Sequence, residues 1–167
     1  TNSPSYTPKT GETRDTWFRR LASDGSCSPV LTPSSGVWKV TVRDAFNPGS
    51  ISATGQTICY GGDPSSIGSV TTASGGDNAI TYKWKANNSD IPNAYSASYD
   101  PPAGLTTTTT YTRYAKDGTC ASDFLPSEGS WTVKVRPMFT TGEIFSDGET
   151  ICYGGNPSSI GNVTEAS

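Results

Sequence analysis

Histidine is missing from all 167 residues. Without it no Ser/His/Asp or Cys/His nucleophile can be assembled, and zinc loses its usual nitrogen ligand. Charge is scarce too: 16% of residues are charged, with a net charge of -3. No basic stripe is present, so the sequence predicts no nucleic-acid partner and no anionic membrane surface. No window approaches the roughly 18 apolar residues of a membrane span, which argues against direct membrane insertion, and the N-terminus lacks a signal-peptide pattern. Any targeting signal is expected outside these residues. Helical periodicity of useful length is also lacking.

What the chain does have is 18 Gly, 12 Pro and long Ser/Thr tracts beside strand-forming Thr, Val, Tyr and Trp. That mixture suits short strands and many turns. The organising stretch is Thr57 to Val70, TICYGGDPSSIGSV, which returns at Thr150 to Val163 as TICYGGNPSSIGNV. Shifting the chain by 93 positions without a gap makes 38 of 74 positions identical. The period divides the chain into the C-terminal part of one repeat (1–46), a complete repeat (47–139) and the N-terminal part of the next (140–167). A unit of 93 residues can bury one modest core.

Strand signals recur inside the repeat. Val37 to Val42, VWKVTV, and its counterpart Ser130 to Val135, SWTVKV, alternate so that Trp38, Val40 and Val42, or Trp131, Val133 and Val135, share one face. Ile80 to Lys85 alternates with Trp84 as the natural central core residue, so Trp38, Trp84 and Trp131 are the expected core tryptophans. Thr106 to Lys116, TTTTTYTRYAK, is the longest strand candidate, ended by an Asp117-Gly118 turn. Ala94 to Tyr99, closed by Pro101 and Pro102, reads as an edge segment at the surface. Gly61, Gly62, Asp63 and Pro64 form a turn; a phosphate loop would want a helix start and a Lys where Pro and two Ser follow. The linker Asn47-Pro48-Gly49, matched by Thr140-Thr141-Gly142, is too short for free swinging and predicts a stiff rod. The fold class is all-β: tandem sandwich repeats with a 93-residue period.

Four cysteines map onto each other in pairs, Cys27 onto Cys120 and Cys59 onto Cys152. Two regularly placed cysteines per repeat, with no CxxC pair, fit a disulfide in an oxidising compartment better than a metal or thiol site. A sandwich puts early and late strands in facing or neighbouring positions, so Cys59 is expected to bond Cys120, contributing roughly 4 kcal/mol by loop closure. Cys27 and Cys152 would then pair outside this stretch. Asp24/Asp117 is the one acidic residue identical in both copies and sits in a turn, so no catalytic residues, no enzyme activity and no cofactor are expected. Arg20/Arg113 and Arg43/Arg136, also kept, read as surface charges whose stems cover apolar surface. Asp residues at 63, 77, 90, 100, 117 and 123 do not converge on a recognised calcium loop, which leaves junction calcium a minor alternative.

The run TICYGGDPSSI, then SGG, then ITYKWK, then IPNAYSASYDPPAGLTTTTTYTRYAKDGTCAS resembles the immunoglobulin-like tandem repeats of giant Bacteroidota cell-surface adhesins, of the SprB gliding-adhesin type. The resemblance spans the whole repeat. It implies export by the type IX secretion system, a place on the cell surface, and a structural or adhesive role whose partners are neighbouring repeats and the outer-membrane secretion and motility machinery. Lys9, Glu12 and Arg14 stand where the complete repeat has Pro102, Leu105 and Thr107, so a shared ligand pocket there is not implied. The alternative is a carbohydrate-binding module of a secreted protein, presenting Trp17, Tyr95 or Tyr99 to surface glycans. Thr110 and Asn2 replace Trp17 and Tyr95 in the other copy, so such a platform is not common to the repeats. The ligand-binding residues are otherwise unknown from the sequence.

Overall fold

The computed structural model describes residues 3–167; Thr1 and Asn2, which open the first piece, lie outside the described residues. The described chain is all β. The opening piece holds β1 (Thr16–Phe18), β2 (Leu21–Ala22), β3 (Thr32–Pro33) and β4 (Trp38–Val40). The complete repeat holds β5 (Ser50–Ile51), β6 (Gln56–Ile58), β7 (Ser69–Thr71), β8 (Thr81–Ala86), β9 (Ser89–Asp90), β10 (Thr109–Lys116), β11 (Leu125–Pro126) and β12 (Trp131–Val135), and β13 (Glu143–Ile144) and β14 (Asn162–Thr164) follow. Among the described residues no helix is long and apolar enough to cross a membrane.

The larger layer of the sandwich has the order β6-β12-β10-β8-β9, with β11 paired to β10 as well. Its neighbours are antiparallel except β6, which runs parallel to β12. The smaller layer is β5 with β7, extended by a bridge between Ile67 and Tyr99. One continuous stretch thus serves both layers: β5 pairs in the small sheet and β6 crosses to the large one.

β10 shows why the sequence folds this way. Its burial alternates without a break from Thr109 to Lys116, so Thr109, Tyr111, Arg113 and Ala115 point inward while Thr110, Thr112, Tyr114 and Lys116 face out. Trp84, fully buried at 0% exposure, sits at the centre of a core with Ile51, Ile67, Ala94, Tyr111 and Val133. Its indole N–H donates to the Ser96 carbonyl at 2.9 Å, as a buried Trp requires. Tyr99 stacks between Trp84 and Tyr111, with ring centroids 5.7 and 5.6 Å apart. The segment expected at the surface is exposed at Tyr95, Ser96 and Ser98 and borders the small sheet, but it turns Ala94, Tyr99 and Pro101 inward, with Tyr99 packed against Trp84.

Among the core tryptophans, Trp84 is central and Trp131 is partly buried against the same cluster. Trp38 is 71% exposed, contrary to its expected core position. In the complete repeat the equivalent Trp131 packs against the cluster around Trp84, whereas the described opening piece, β1 to β4, presents no such cluster to Trp38.

A second correction concerns Arg113, expected at the surface and found at 0% exposure. Its Nε donates to Ser127 Oγ at 3.1 Å, one terminal nitrogen donates to Ser69 Oγ and to the Ala97 carbonyl (2.9 Å), and the other reaches the Ser50 and Thr71 carbonyls at 3.3 and 3.4 Å. The guanidinium lies 5.0 Å from the Tyr82 ring centroid. Burial pushes its pKa down from the ordinary arginine value, yet a guanidinium remains charged at any pH the protein meets.

Register also separates the cysteines expected to pair. Ile58 lies opposite Val135 on β12, so Cys59 stands at the end of the sheet where β10 begins, and close by the Gly61 N–H donates to the Leu105 carbonyl at 2.8 Å. Cys120 follows the other end of β10. Eight residues at about 3.4 Å rise span about 27 Å, whereas a bridge needs Cα atoms within about 7 Å. All four cysteines are exposed free thiols, and the expected Cys59–Cys120 bond is not formed.

Arg113→Met keeps a long side chain but removes every donor, stranding two hydroxyls and three carbonyls in the interior. We expect a loss of about 2–4 kcal/mol, read from the urea midpoint by tryptophan fluorescence. A change as small as that of an ordinary surface substitution would show that the network is not holding the layers together.

Candidate functional site

Two places in the described structure are candidates for a site. The first is a groove of about 650 Å³ in the opening piece, lined among others by Tyr6, Pro8, Phe18, Arg20 and Trp38. Displaced by 93 positions, these are Tyr99, Pro101, Tyr111, Arg113 and Trp131 of the complete repeat. The walls of the groove are thus the equivalents of residues that face the interior of the complete repeat.

The second place is the junction at Asn47. Its backbone is clamped to the repeat it enters. Asn47 and Ser74 exchange N–H to carbonyl hydrogen bonds of 2.8 and 2.9 Å, the Asn47 side chain accepts from the Gly49 N–H at 2.8 Å, and the Glu128 N–H donates to the Gly49 carbonyl at 2.9 Å. Gly49 has φ +69, and a Cβ there would lie 2.4 Å from the Thr71 carbonyl oxygen, so the short linker needs glycine. Upstream, the Asp44 carbonyl accepts from the Gly76 N–H at 2.9 Å. The core reaches this clamp through Ser127, which accepts from Arg113 and donates to the Pro48 carbonyl at 2.8 Å.

Two carboxylates stiffen the loops beneath. Asp117, 1% exposed, accepts from the N–H groups of Thr119 (3.1 Å), Ala121 (2.6 Å) and Asp77 (3.2 Å). Asp77 accepts from the Thr119 hydroxyl at 2.6 Å and from the N–H groups of Ala79 and Gly118. These bonds, the Thr119 hydroxyl foremost, hold the Asp77 carboxyl below its ordinary pKa, with a further contribution from the nearby Arg43 charge. Arg43 belongs to the end of the preceding piece, so its charge acts across the junction.

The same arrangements recur 93 positions away. Thr140 and Ser167 exchange hydrogen bonds of 2.8 and 3.1 Å as Asn47 and Ser74 do. Asp24 accepts from Ser26 and Ser28 as Asp117 does from Thr119 and Ala121, and Arg20 Nε donates to Ser34 Oγ at 3.1 Å as Arg113 does to Ser127. The strand pairs Thr16 with Val40 and Thr109 with Val133 obey the same shift.

The aromatics considered for glycans do not form one surface. Trp17 is 60% exposed beside Lys39, whose ammonium lies 5.2 Å from the ring centroid, and Tyr95 is 62% exposed, whereas Tyr99 is part of the core. Among the described residues no three His, Cys, Asp or Glu side chains converge on a possible metal position.

The family described as a domain of unknown function (DUF8696) matches residues 47–137, more than half of the chain. The chain belongs to this family. The matched unit begins at the clamped Asn47 and contains β5 to β12, so the junction just described opens the family's unit. No curated protein and no solved structure matches the chain.

Gly76 has φ +62, and a Cβ there would fall 1.4 Å from Asp117 Oδ2, while Gly61 has φ +73 and open space around it. Gly61→Ala should cost about 1–2 kcal/mol from backbone strain alone, and Gly76→Ala roughly 3 kcal/mol or more, both read from thermal midpoints. A lowered folded-state pKa at Asp77 means stability that is present above the unfolded value near about 4 and lost as pH falls through the folded value. The difference in melting temperature between the parent and Asp77→Asn should therefore be full at neutral pH and close below about pH 4.

Proposed function

We propose that this chain is a structural segment of a long filamentous cell-surface adhesin, built from immunoglobulin-like repeats stacked end to end. The observation that carries the reading is the clamped junction, found at Asn47 and Ser74 and again at Thr140 and Ser167. A linker whose backbone is bonded into the following unit transmits force and orientation; a flexible one would leave those groups to water. The likeness in sequence to SprB-type adhesin repeats supports secretion by the type IX route and a part in surface attachment or gliding. In this role the partners are neighbouring repeats and the outer-membrane machinery, and no cofactor or catalytic group is needed.

The test uses the chain extended at its N-terminus by a copy of its own residues 47–93, which completes the first repeat. Small-angle scattering should show a rod whose length is the sum of its units, and pulling should give repeated unfolding events at high force. A compact or freely bending particle would overturn the reading. Retention on a glycan array, abolished by Trp17→Ala or Tyr95→Ala, would instead favour the carbohydrate-binding module.

A further inference from the structure

The two cysteines of the complete repeat stand at opposite ends of the sandwich, one at each junction. Cys120 lies at the end where the preceding piece joins, directly after Thr119, whose hydroxyl donates to Asp77. Cys59 lies at the end where the chain leaves for the next unit, directly after Ile58, whose carbonyl accepts from the Arg136 N–H at 3.0 Å. The residue of the opening piece that corresponds to Arg136 is Arg43, and the residue after it, Asp44, accepts at its carbonyl from the Gly76 N–H at 2.9 Å, directly before Asp77. In a complete preceding repeat the cysteine equivalent to Cys59 would thus follow the residue bonded to the Arg43 backbone, while Cys120 follows the residue bonded to the Asp77 side chain. Both thiols fall at the same junction, on facing units. Both types are exposed here and open to reaction.

We propose that the disulfides of this family join neighbouring repeats, linking the Cys120 position of each unit to the Cys59 position of the unit before it. The inference rests on the end-to-end stacking proposed above. In forming each bridge two thiols lose two protons and two electrons and gain one S–S bond; a small disulfide oxidant such as oxidised glutathione takes them up and is reduced to two thiols. Such a bond would lie across the junction, so that tension between units passes through a covalent link as well as through the hydrogen-bonded clamp.

The extended chain tests this directly. Cys59→Ser in its original copy leaves the added segment as the sole source of the upstream cysteine that the inference pairs with Cys120. After equilibration in a dilute glutathione redox buffer, non-reducing peptide mapping should find the added cysteine bonded to Cys120, with a mass lower by two hydrogens and the loss of Cys120 alkylation. In the unextended 167-residue chain Cys120 should alkylate fully. A bond from the added cysteine to Cys27 within its own repeat, a Cys59–Cys120 bond in the unextended chain, or a free Cys120 thiol in the extended one would each overturn the inference, whereas Cys27 and Cys152 should stay free in it. Small-angle scattering under reducing conditions separates the two readings: a straight rod there, with no bridge found in the redox buffer, would sink the disulfide alone, and a bent or collapsed particle would sink the stacking with it.

Discussion

Arg113 is the interaction on which the rest depends. It extends from β10 in the larger layer to Ser69 and the Ser50 and Thr71 carbonyls in the smaller one, and it takes in the Ala97 carbonyl on the way. Among the described residues no carboxylate forms an ion pair with it. Backbone carbonyl dipoles and hydroxyls replace its lost hydration shell, and the planar fork spreads its donors over several acceptors in fixed directions. A buried charge without such partners would be costly, and removing one side of the arrangement leaves the other stranded. The network therefore specifies how the layers face each other more sharply than apolar packing around Trp84 does alone.

From Arg113 the connection runs outward to the junction. Ser127 accepts from the guanidinium and donates to the Pro48 carbonyl, so the centre of the sandwich is tied to the linker by one hydroxyl. On the neighbouring loops Gly76 approaches Asp117 so closely that a side chain is excluded, and its N–H is held by Asp44 of the preceding stretch. Core, loop and linker form one hydrogen-bonded path. In the opening piece Arg20 still finds Ser34, but the rest of the network has no second layer to reach, and Trp38 lies open to solvent.

Much of the fold was legible because it rests on local pattern. The period of two in Thr106 to Lys116 and Ile80 to Lys85 announced β10 and β8, and Trp84 as their central residue followed from its alternating neighbours. Arg113 was misread because arginine is usually exposed, and its acceptors come from positions 50, 69, 71, 97 and 127, far apart in sequence. For Ala94 to Tyr99 the edge position was legible but the inward turn of Tyr99 was not, because prolines signal an edge without saying which way the preceding aromatic turns. The cysteine pairing failed for a related reason. Strand neighbours can be guessed from order, but the ends at which two residues lie depend on register, which β6 sets by running parallel to β12.

The amino-acid sequence alone determined the class of structure, the repeat of 93 and the places of its turns, because alternation, glycine and proline act through the few residues beside them. Only the tertiary structure decided that Arg113 faces inward, that Trp38 is exposed while Trp131 packs against the core, and that Cys59 and Cys120 stand at opposite ends. Each of those outcomes depends on which distant groups share a layer or an end, and that is set by long-range strand pairing and the satisfaction of buried polar atoms.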